Sequence, residues 1–344
     1  AFAGDGAGLS GGDALGHLVA GYEIAIRAGI ALHATASDYH TSGAWGAVAV
    51  AGVGSRVLGL DPVRTREALG IAEYYGPRSQ MMRVIDHPTM VKDGSGWGAM
   101  VGAVAALLAR EGFTGAPAVT VEDEAVAGYW DDLGTRWRML EQYFKPYPVC
   151  RWAQPAMEAA AQLRRDDAFD AAAVMALRVR TFREASLLAV RRPTTTDEAQ
   201  YSLPFPLAAL LVHGKVGPGE IDGPGLTDAE VLRLSSLVEL NEDAGYSAKF
   251  PAERWAEVEI DLADGRRLVS RPAVARGSAE NPLSDAEIAA KFRGLMEDAG
   301  FADRAAAIED TVMSLDRAPS LAPLLDLVCA PVASRIPTRR GAVR

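Results

Sequence analysis

Apolar residues at helical spacing fill the first third of the chain. Leu15, Leu18, Val19, Tyr22 and Ile26 recur every three or four positions, and Asp13 stands where a helix cap belongs. Residues 44–58 are so rich in Ala, Gly and Val that a helix there can lie close against its neighbours. Asp61-Pro62 places an N-cap before a proline at the first helical position, which predicts a helix to about Ala72. A further helix is expected over 96–110, ended by Glu111-Gly112 and the turn-rich residues 112–117. Such small residues predict a compact α-bundle, and the sequence has no fixed-period repeat of the kind that builds a solenoid.

The pattern changes after Pro155. A helix over 155–164 precedes Val174, Leu177, Val179 and a β-prone run to Phe182, which reads as a strand. Gly and Pro cluster between 212 and 226, and Thr227-Asp228-Ala229-Glu230 reads as a capping box for a helix over 228–240. Val258, Ile260 and Leu262 alternate with Glu257, Glu259 and Asp261. Asp264-Gly265 then predicts a type I′ turn into 266–271, giving a hairpin with one solvated face. Ser284-Asp285-Ala286-Glu287 is a second capping box, opening helices that run to about 329. This order predicts a mainly α protein in which an all-α helical domain is interrupted by a smaller α/β domain. The helical domain is assigned residues 1–150 and 285–344, and the α/β domain residues 151–284.

Composition narrows the function classes. With 344 residues and 49% hydrophobic content, the chain can bury a sizeable core. No apolar run reaches the roughly 18 residues needed to span a bilayer, and no charged and apolar regions open the chain as a leader would. Two cysteines, Cys150 and Cys329, are too few for a disulfide framework. These features predict a cytoplasmic protein with no membrane partner. A net charge of −10 argues against nucleic acid as a partner, yet leaves room for an anionic small molecule in a locally cationic pocket. Arg335, Arg339, Arg340 and Arg344 read as a solvated, poorly ordered end.

Gly6-Ala7-Gly8-Leu9-Ser10-Gly11 matches G-x-G-x-x-G, but no strand precedes it and a dinucleotide site is not expected. Histidines 17, 33, 40, 87 and 213 lack metal-ligand spacing on any one helix face, so no metal and no cofactor is expected.

Three segments place titratable residues among glycines and prolines. In Asp38-Tyr39-His40-Thr41-Ser42-Gly43, His40 precedes a helix start with Thr41 and Ser42 as caps, and it reads either as a capping histidine or as an acid/base group. In Lys92-Asp93-Gly94-Ser95-Gly96, a lysine stands before a Gly-rich turn whose free N–H groups suit a carboxylate; the bland reading is a packing turn with an exposed lysine. In Phe144-Lys145-Pro146-Tyr147-Pro148-Val149-Cys150-Arg151, prolines fix Lys145 and Arg151 as a clamp for a polyanion, or simply stiffen a linker. Together they suit removal of a proton alpha to a carboxylate, with cations stabilising the developing enediolate and His40 or a lysine moving the proton.

The chain resembles the MmgE/PrpD family, which includes 2-methylcitrate dehydratase, cis-aconitate decarboxylase and iminodisuccinate epimerase. The resemblance is carried by Gly21-Tyr22-Glu23, Tyr39-His40 with Gly43 and Gly46, and Val91-Lys92-Asp93-Gly94. It continues through Phe144-Lys145-Pro146-Tyr147-Pro148 with Cys150-Arg151, Glu198-Ala199-Gln200-Tyr201-Ser202 and Asn281-Pro282-Leu283-Ser284. It implies catalytic roles for His40, Lys92 and Lys145, the lysines holding substrate carboxylates or taking part in proton transfer, and Arg151, Ser95 and Tyr201 are expected to contact the substrate. It also implies a metal-independent homodimer acting on a small anionic carboxylate. Family members begin with a longer helical segment carrying an Asp and a His of the active site, so the resemblance implies that the N-terminal part of the helical domain is missing from this sequence. A pocket tyrosine of the decarboxylase branch is Phe205 here, which weakens that reading.

The expected function is therefore a lyase resembling 2-methylcitrate dehydratase, a carbon–oxygen lyase that abstracts an alpha proton. The alternatives are an epimerase or isomerase of a dicarboxylate using the same abstraction, and a non-catalytic homologue that binds a carboxylate.

Overall fold

The computed structural model describes residues 8–330. Its first part is built from helices α1 (Gly11–Thr35), α2 (Gly43–Val57), α3 (Pro62–Tyr75), the short α4 (Met81–Asp86) and α5 (Ser95–Arg110). Helix α3 starts as the sequence predicts, with the Asp61 carboxylate accepting from the Arg64 N–H and Pro62 in the first turn. Helix α1 is instead capped by Ser10, with Asp13 completing a capping box from the third position. The arginines of the C-terminal tail and the start of the G-x-G-x-x-G match lie outside the described residues.

Helix α1 is long and apolar enough in composition to cross a bilayer. In the fold, however, its Glu23 and Arg27 are buried against the segment 129–139. Arg27 donates to Glu23, to the Tyr129 and Arg136 carbonyls and to Asp132, while Glu23 accepts from the Met139 N–H at 2.8 Å. The two charges are thus held by each other and by fixed hydrogen bonds, the condition for burying them at all.

The packing of α2, α3 and α5 depends on side chains that are barely there. Their shared core is Ala47, Ala51, Ala68, Ile71, Ala72, Ala105 and Ala109. Helices α2 and α5 approach until a methyl group on Gly98 would overlap the Gly43 carbonyl, and one on Gly102 the Ala47 carbonyl. Large side chains would separate these helices and the turns that start them.

The second part is a mixed sheet backed by α6 (Gln154–Asp166), against which α7 (Pro204–His213) packs in turn. Its strands are β1 (Val174–Thr181), β2 (Val238–Glu242), β3 (Trp255–Leu262), β4 (Arg267–Val269) and β5 (Ala273–Val274), in the order β2-β1-β3-β4 with β5 also on β3. Strand β2 runs parallel to β1, whereas β3 is antiparallel to β1, β4 and β5. The alternation in β3 buries Ala256, Val258, Ile260 and Leu262. On the opposite face Arg178 pairs with Glu259 and Asp261, a cross-strand ladder in water.

Three local expectations are corrected. Helix α8 (Ala229–Leu237) is capped by Asp228, whose single carboxylate oxygen accepts from both the Glu230 and Val231 N–H groups, so Thr227 is not the cap. That helix ends at Leu237, and residues expected to continue it form β2. The β3–β4 turn has positive φ only at Gly265; Asp264 does not adopt it, so the connection is a three-residue loop closed by Leu262 and Arg266 and not a type I′ turn.

Helices α9 (Asp285–Asp298), α10 (Ala302–Met313) and α11 (Ala322–Cys329) complete the described chain. The Ser284/Glu287 capping box opens α9 as expected. Residues Leu315–Arg317 return to the start of α1, where Gly11 N–H donates to the Ala318 carbonyl and Leu321 N–H to the Leu9 carbonyl. The fold is mainly helical with one small mixed sheet.

The two parts meet through α4 and an aromatic group. Met81, Val84 and Ile85 of α4 belong to the core of the α/β part. Tyr39, in the loop between α1 and α2, packs near Trp152 and Phe250, and Phe250 stacks on Phe182. Replacing an interior helical glycine by alanine ordinarily stabilises by about 0.5–1 kcal/mol. Gly98→Ala is expected to do the opposite, lowering the melting temperature, whereas Gly294→Ala in α9, where a methyl meets nothing within 4 Å, should raise it or leave it unchanged. Paired thermal melts of the two variants check this.

Candidate active site

Where the two parts meet, a cleft of about 530 Å³ is walled by three chain segments, residues 90–96, 145–150 and 200–201. The first wall is the turn between α4 and α5. Lys92 adopts a φ of 45°, the only positive value at a non-glycine residue among those described. Such a backbone costs on the order of 1 kcal/mol or more and persists where neighbours over-determine it. Here they do: Lys92 N–H donates to the Thr89 carbonyl, Gly94 N–H to the Val91 carbonyl, and Gly43 N–H to the Asp93 carbonyl. Lys92 Nζ donates to Gln200 Oε1 at 2.6 Å and lies 3.2 Å from Asp197 Oδ1.

Gly94, at φ 64°, is the N-cap of α5 and has no side chain with which to satisfy the first N–H groups of that helix. Ser95 and Gly96 line the cleft, so an uncapped helix N-terminus opens into it, where unpaired N–H groups and the helix dipole favour an anion. The Ser95 hydroxyl is 2.7 Å from the Ser42 hydroxyl, joining the first turns of α5 and α2. Ser42 therefore does not cap α2 through its side chain, and the buried Thr41 hydroxyl has no hydrogen-bond partner.

The second wall is the Pro-rich segment. Phe144 N–H donates to the Gly277 carbonyl, Lys291 Nζ to the Lys145 carbonyl, and Cys150 N–H to the Gln200 carbonyl. These bonds fix the backbone on both sides of Lys145. The Lys145 ammonium itself makes no hydrogen bond or ion pair among the described residues, leaving a free cation on the cleft wall. Burial pushes the Cys150 thiol up to about 11, so it faces the cleft as a neutral group.

The third wall follows the one-turn helix Thr196–Gln200. Tyr201 donates its hydroxyl to Asp93 Oδ1 at 2.9 Å. Burial first, and the Asp93 carboxylate second, hold the phenol well above its usual range, so it stays a donor. A larger cavity of about 1100 Å³ adjoins this cleft, with Lys92 and Met90 on both and Arg192 and Asp197 lining the larger one.

Lys92, Lys145, Ser95 and Tyr201 thus share one cleft. His40 and Arg151 are not part of its wall. His40 is buried, with Nδ1 donating to the Asp38 carbonyl at 3.0 Å and Nε2 3.4 Å from Asp38 Oδ1. Its backbone N–H donates to His33 Nε2, which places the His33 proton on Nδ1, bonded to the Gly29 carbonyl. Burial lowers the His33 pKa, consistent with the neutral ring this bond requires. Arg151 is also buried; it donates to the Arg276 and Ala275 carbonyls and to Gln154, and its guanidinium lies 4.2 Å from the centre of the Tyr143 ring. Asp93, Gln200 and Cys150 line the cleft without having been singled out from the sequence. Each lies inside a run that carries the family resemblance, Asp93 in the Lys92 turn, Gln200 beside Tyr201 and Cys150 in the Pro-rich segment.

Comparisons with known proteins place the chain among relatives. Residues 3–134 match the MmgE/PrpD N-terminal domain and residues 147–317 the MmgE/PrpD C-terminal domain. The chain is 25% identical over 364 residues to the cis-aconitate decarboxylase-like protein oryM of Aspergillus oryzae, an alignment covering 93% of this chain and 72% of that protein. It is 25% identical over 367 residues to the cis-aconitate decarboxylase of Aspergillus terreus, covering 95% and 72%. These relationships support an enzymatic function of the lyase type. With both domains matched in order over most of its length, the chain belongs to the MmgE/PrpD family.

Proposed function

We propose that the chain is a lyase for a small polycarboxylate, removing a proton alpha to a carboxylate and expelling a hydroxyl group, as a 2-methylcitrate dehydratase does. The observation that carries this reading is the pairing of the free Lys145 ammonium with the uncapped N-terminus of α5 across one cleft. Both favour negative charge, and a substrate carboxylate between them becomes an enediolate as the alpha proton leaves. Preplaced positive charge then stabilises the transition state more than the ground state. Lys92, already tied to Gln200 and Asp197, contributes its charge from a fixed position.

Decarboxylation is a second reading, favoured by the names of the curated relatives. It would use the same cations to hold the carboxylates that remain. Phe205, which the resemblance places at a decarboxylase pocket tyrosine, is fully buried in α7 and absent from the cleft wall, so it supports neither reading by contact. Epimerisation shares the first proton transfer and differs only in the face that is reprotonated.

Proton NMR of the protein with 2-methylcitrate, citrate and cis-aconitate in deuterated water tests the proposal. A new alkene signal from a hydroxy acid is the expected result. Alpha-proton exchange without an alkene would assign an epimerase, loss of carbon dioxide from cis-aconitate a decarboxylase, and inert spectra with every acid would remove the lyase reading.

Two substitutions separate the roles of the Pro-rich segment. Lys145→Ala is expected to lower kcat/KM by about 10²–10³-fold, the range for losing one preorganised stabiliser of developing charge, with the melting temperature unchanged. Arg151→Ala should instead destabilise the fold by on the order of 2–4 kcal/mol, because buried carbonyls lose their donor. Steady-state kinetics and thermal melts on both variants check the contrast.

A further inference from the structure

Proton abstraction needs a base, and among the described residues the titratable groups on the cleft wall are Lys92, Asp93, Lys145, Cys150 and Tyr201. Lys92 is bonded to Gln200 and paired with Asp197. Lys145 is the free cation, and the Cys150 thiol and Tyr201 phenol are held protonated by burial. His40 lies outside the wall, with Nδ1 bonded to the Asp38 carbonyl.

Asp93 differs from all of these. One carboxylate oxygen, Oδ1, accepts the Tyr201 hydroxyl, while Oδ2 makes no hydrogen bond or ion pair among the described residues. The backbone around it is pinned: its carbonyl accepts from Gly43 N–H, and it lies between the left-handed residues Lys92 and Gly94. An anionic oxygen without a partner, held in place on the wall of an anion-binding cleft, has the geometry of a proton acceptor.

We propose that Asp93 is the general base of this cleft, taking the alpha proton on Oδ2, and that Tyr201 positions it. The inference rests on the lyase reading above. The substrate C–H bond breaks, its proton passes to Asp93 Oδ2, and its electron pair enters the enediolate. That pair then forms the C=C bond as the C–O bond breaks, and the departing hydroxide takes a proton from the Lys145 ammonium to leave as water. Asp93 releases its proton to solvent and Lys145 regains one, so nothing else is consumed.

The test uses the acid that the unmodified protein turns over by NMR. Asp93→Asn keeps the shape and the Tyr201 contact but removes the base. It should lower kcat by about 10²–10⁴-fold, the contribution of a positioned general base, and suppress alpha-proton exchange equally, with the melting temperature retained. Tyr201→Phe leaves the carboxylate and removes only its anchor. It should lower kcat about tenfold with KM essentially unchanged, a split that general loosening of the fold would not produce. An Asp93→Asn protein with unimpaired turnover overturns the assignment while leaving the lyase reading intact. If that variant does not fold, Tyr201→Phe with unimpaired kcat overturns it instead. Absence of both elimination and exchange in the unmodified protein overturns the lyase reading and the role of Asp93 together.

Discussion

The cleft exists because two helices touch backbone to backbone. Gly43 and Gly98 leave no room for a β-carbon where the first turns of α2 and α5 meet, and the Gly43 N–H and Ser42 hydroxyl reach across that contact to Asp93 and Ser95. Everything else on the first wall follows. The turn that carries Lys92 and Asp93 is anchored at its end, the N-terminus of α5 shares a cleft with the Pro-rich segment, and the strained residue Lys92 is held by bonds on both sides.

The second and third walls are held by different means. Lys145 projects from backbone fixed by α9 and by the loop at Gly277, and Tyr201 follows a single helical turn capped by Thr195. Charge is distributed by solvation as much as by sequence. Burial keeps Cys150 and Tyr201 neutral, whereas Lys145 remains accessible and unpaired, so the cleft presents positive charge from one side and one anchored carboxylate from another. The buried histidines play a supporting part. His33 accepts the His40 N–H and stacks on Tyr39, which carries the loop toward Trp152 and Phe250.

Where local chemistry decided the structure, the sequence was readable. Asp61-Pro62 and Ser284/Glu287 start their helices because one side chain satisfies N–H groups three residues away, and β3 alternates because one face is buried. Strand β2 was hidden because four of its five residues are not buried, so no period marks it; its pairing partner, β1, lies far away in the chain. The same division holds at the site. Glycine and proline around Lys92, Ser95 and Lys145 marked turns that could present a side chain, and these residues do line one cleft. His40 and Arg151 sit in equally suggestive segments, but His40 turns back onto Asp38, and Arg151 is taken by the Ala275 and Arg276 carbonyls, which no pattern in the sequence announces. Asp93 is hard to assign for the opposite reason, since a carboxylate looks out of place in a site for anions until its Tyr201 partner is seen.

The alanine core of the helical part carries a consequence for how such a chain can vary. A core rich in leucine or phenylalanine can trade volume between neighbours, and a substitution there mostly changes stability. Ala47, Ala51, Ala68, Ala72, Ala105 and Ala109 have almost no volume to trade. Enlargement there forces α2, α3 and α5 apart, and a shift of α5 moves Ser95 and the turn holding Lys92 and Asp93. Interior drift and catalytic geometry are therefore mechanically linked in this half of the molecule, and variation without loss of the cleft is directed to its outer surface.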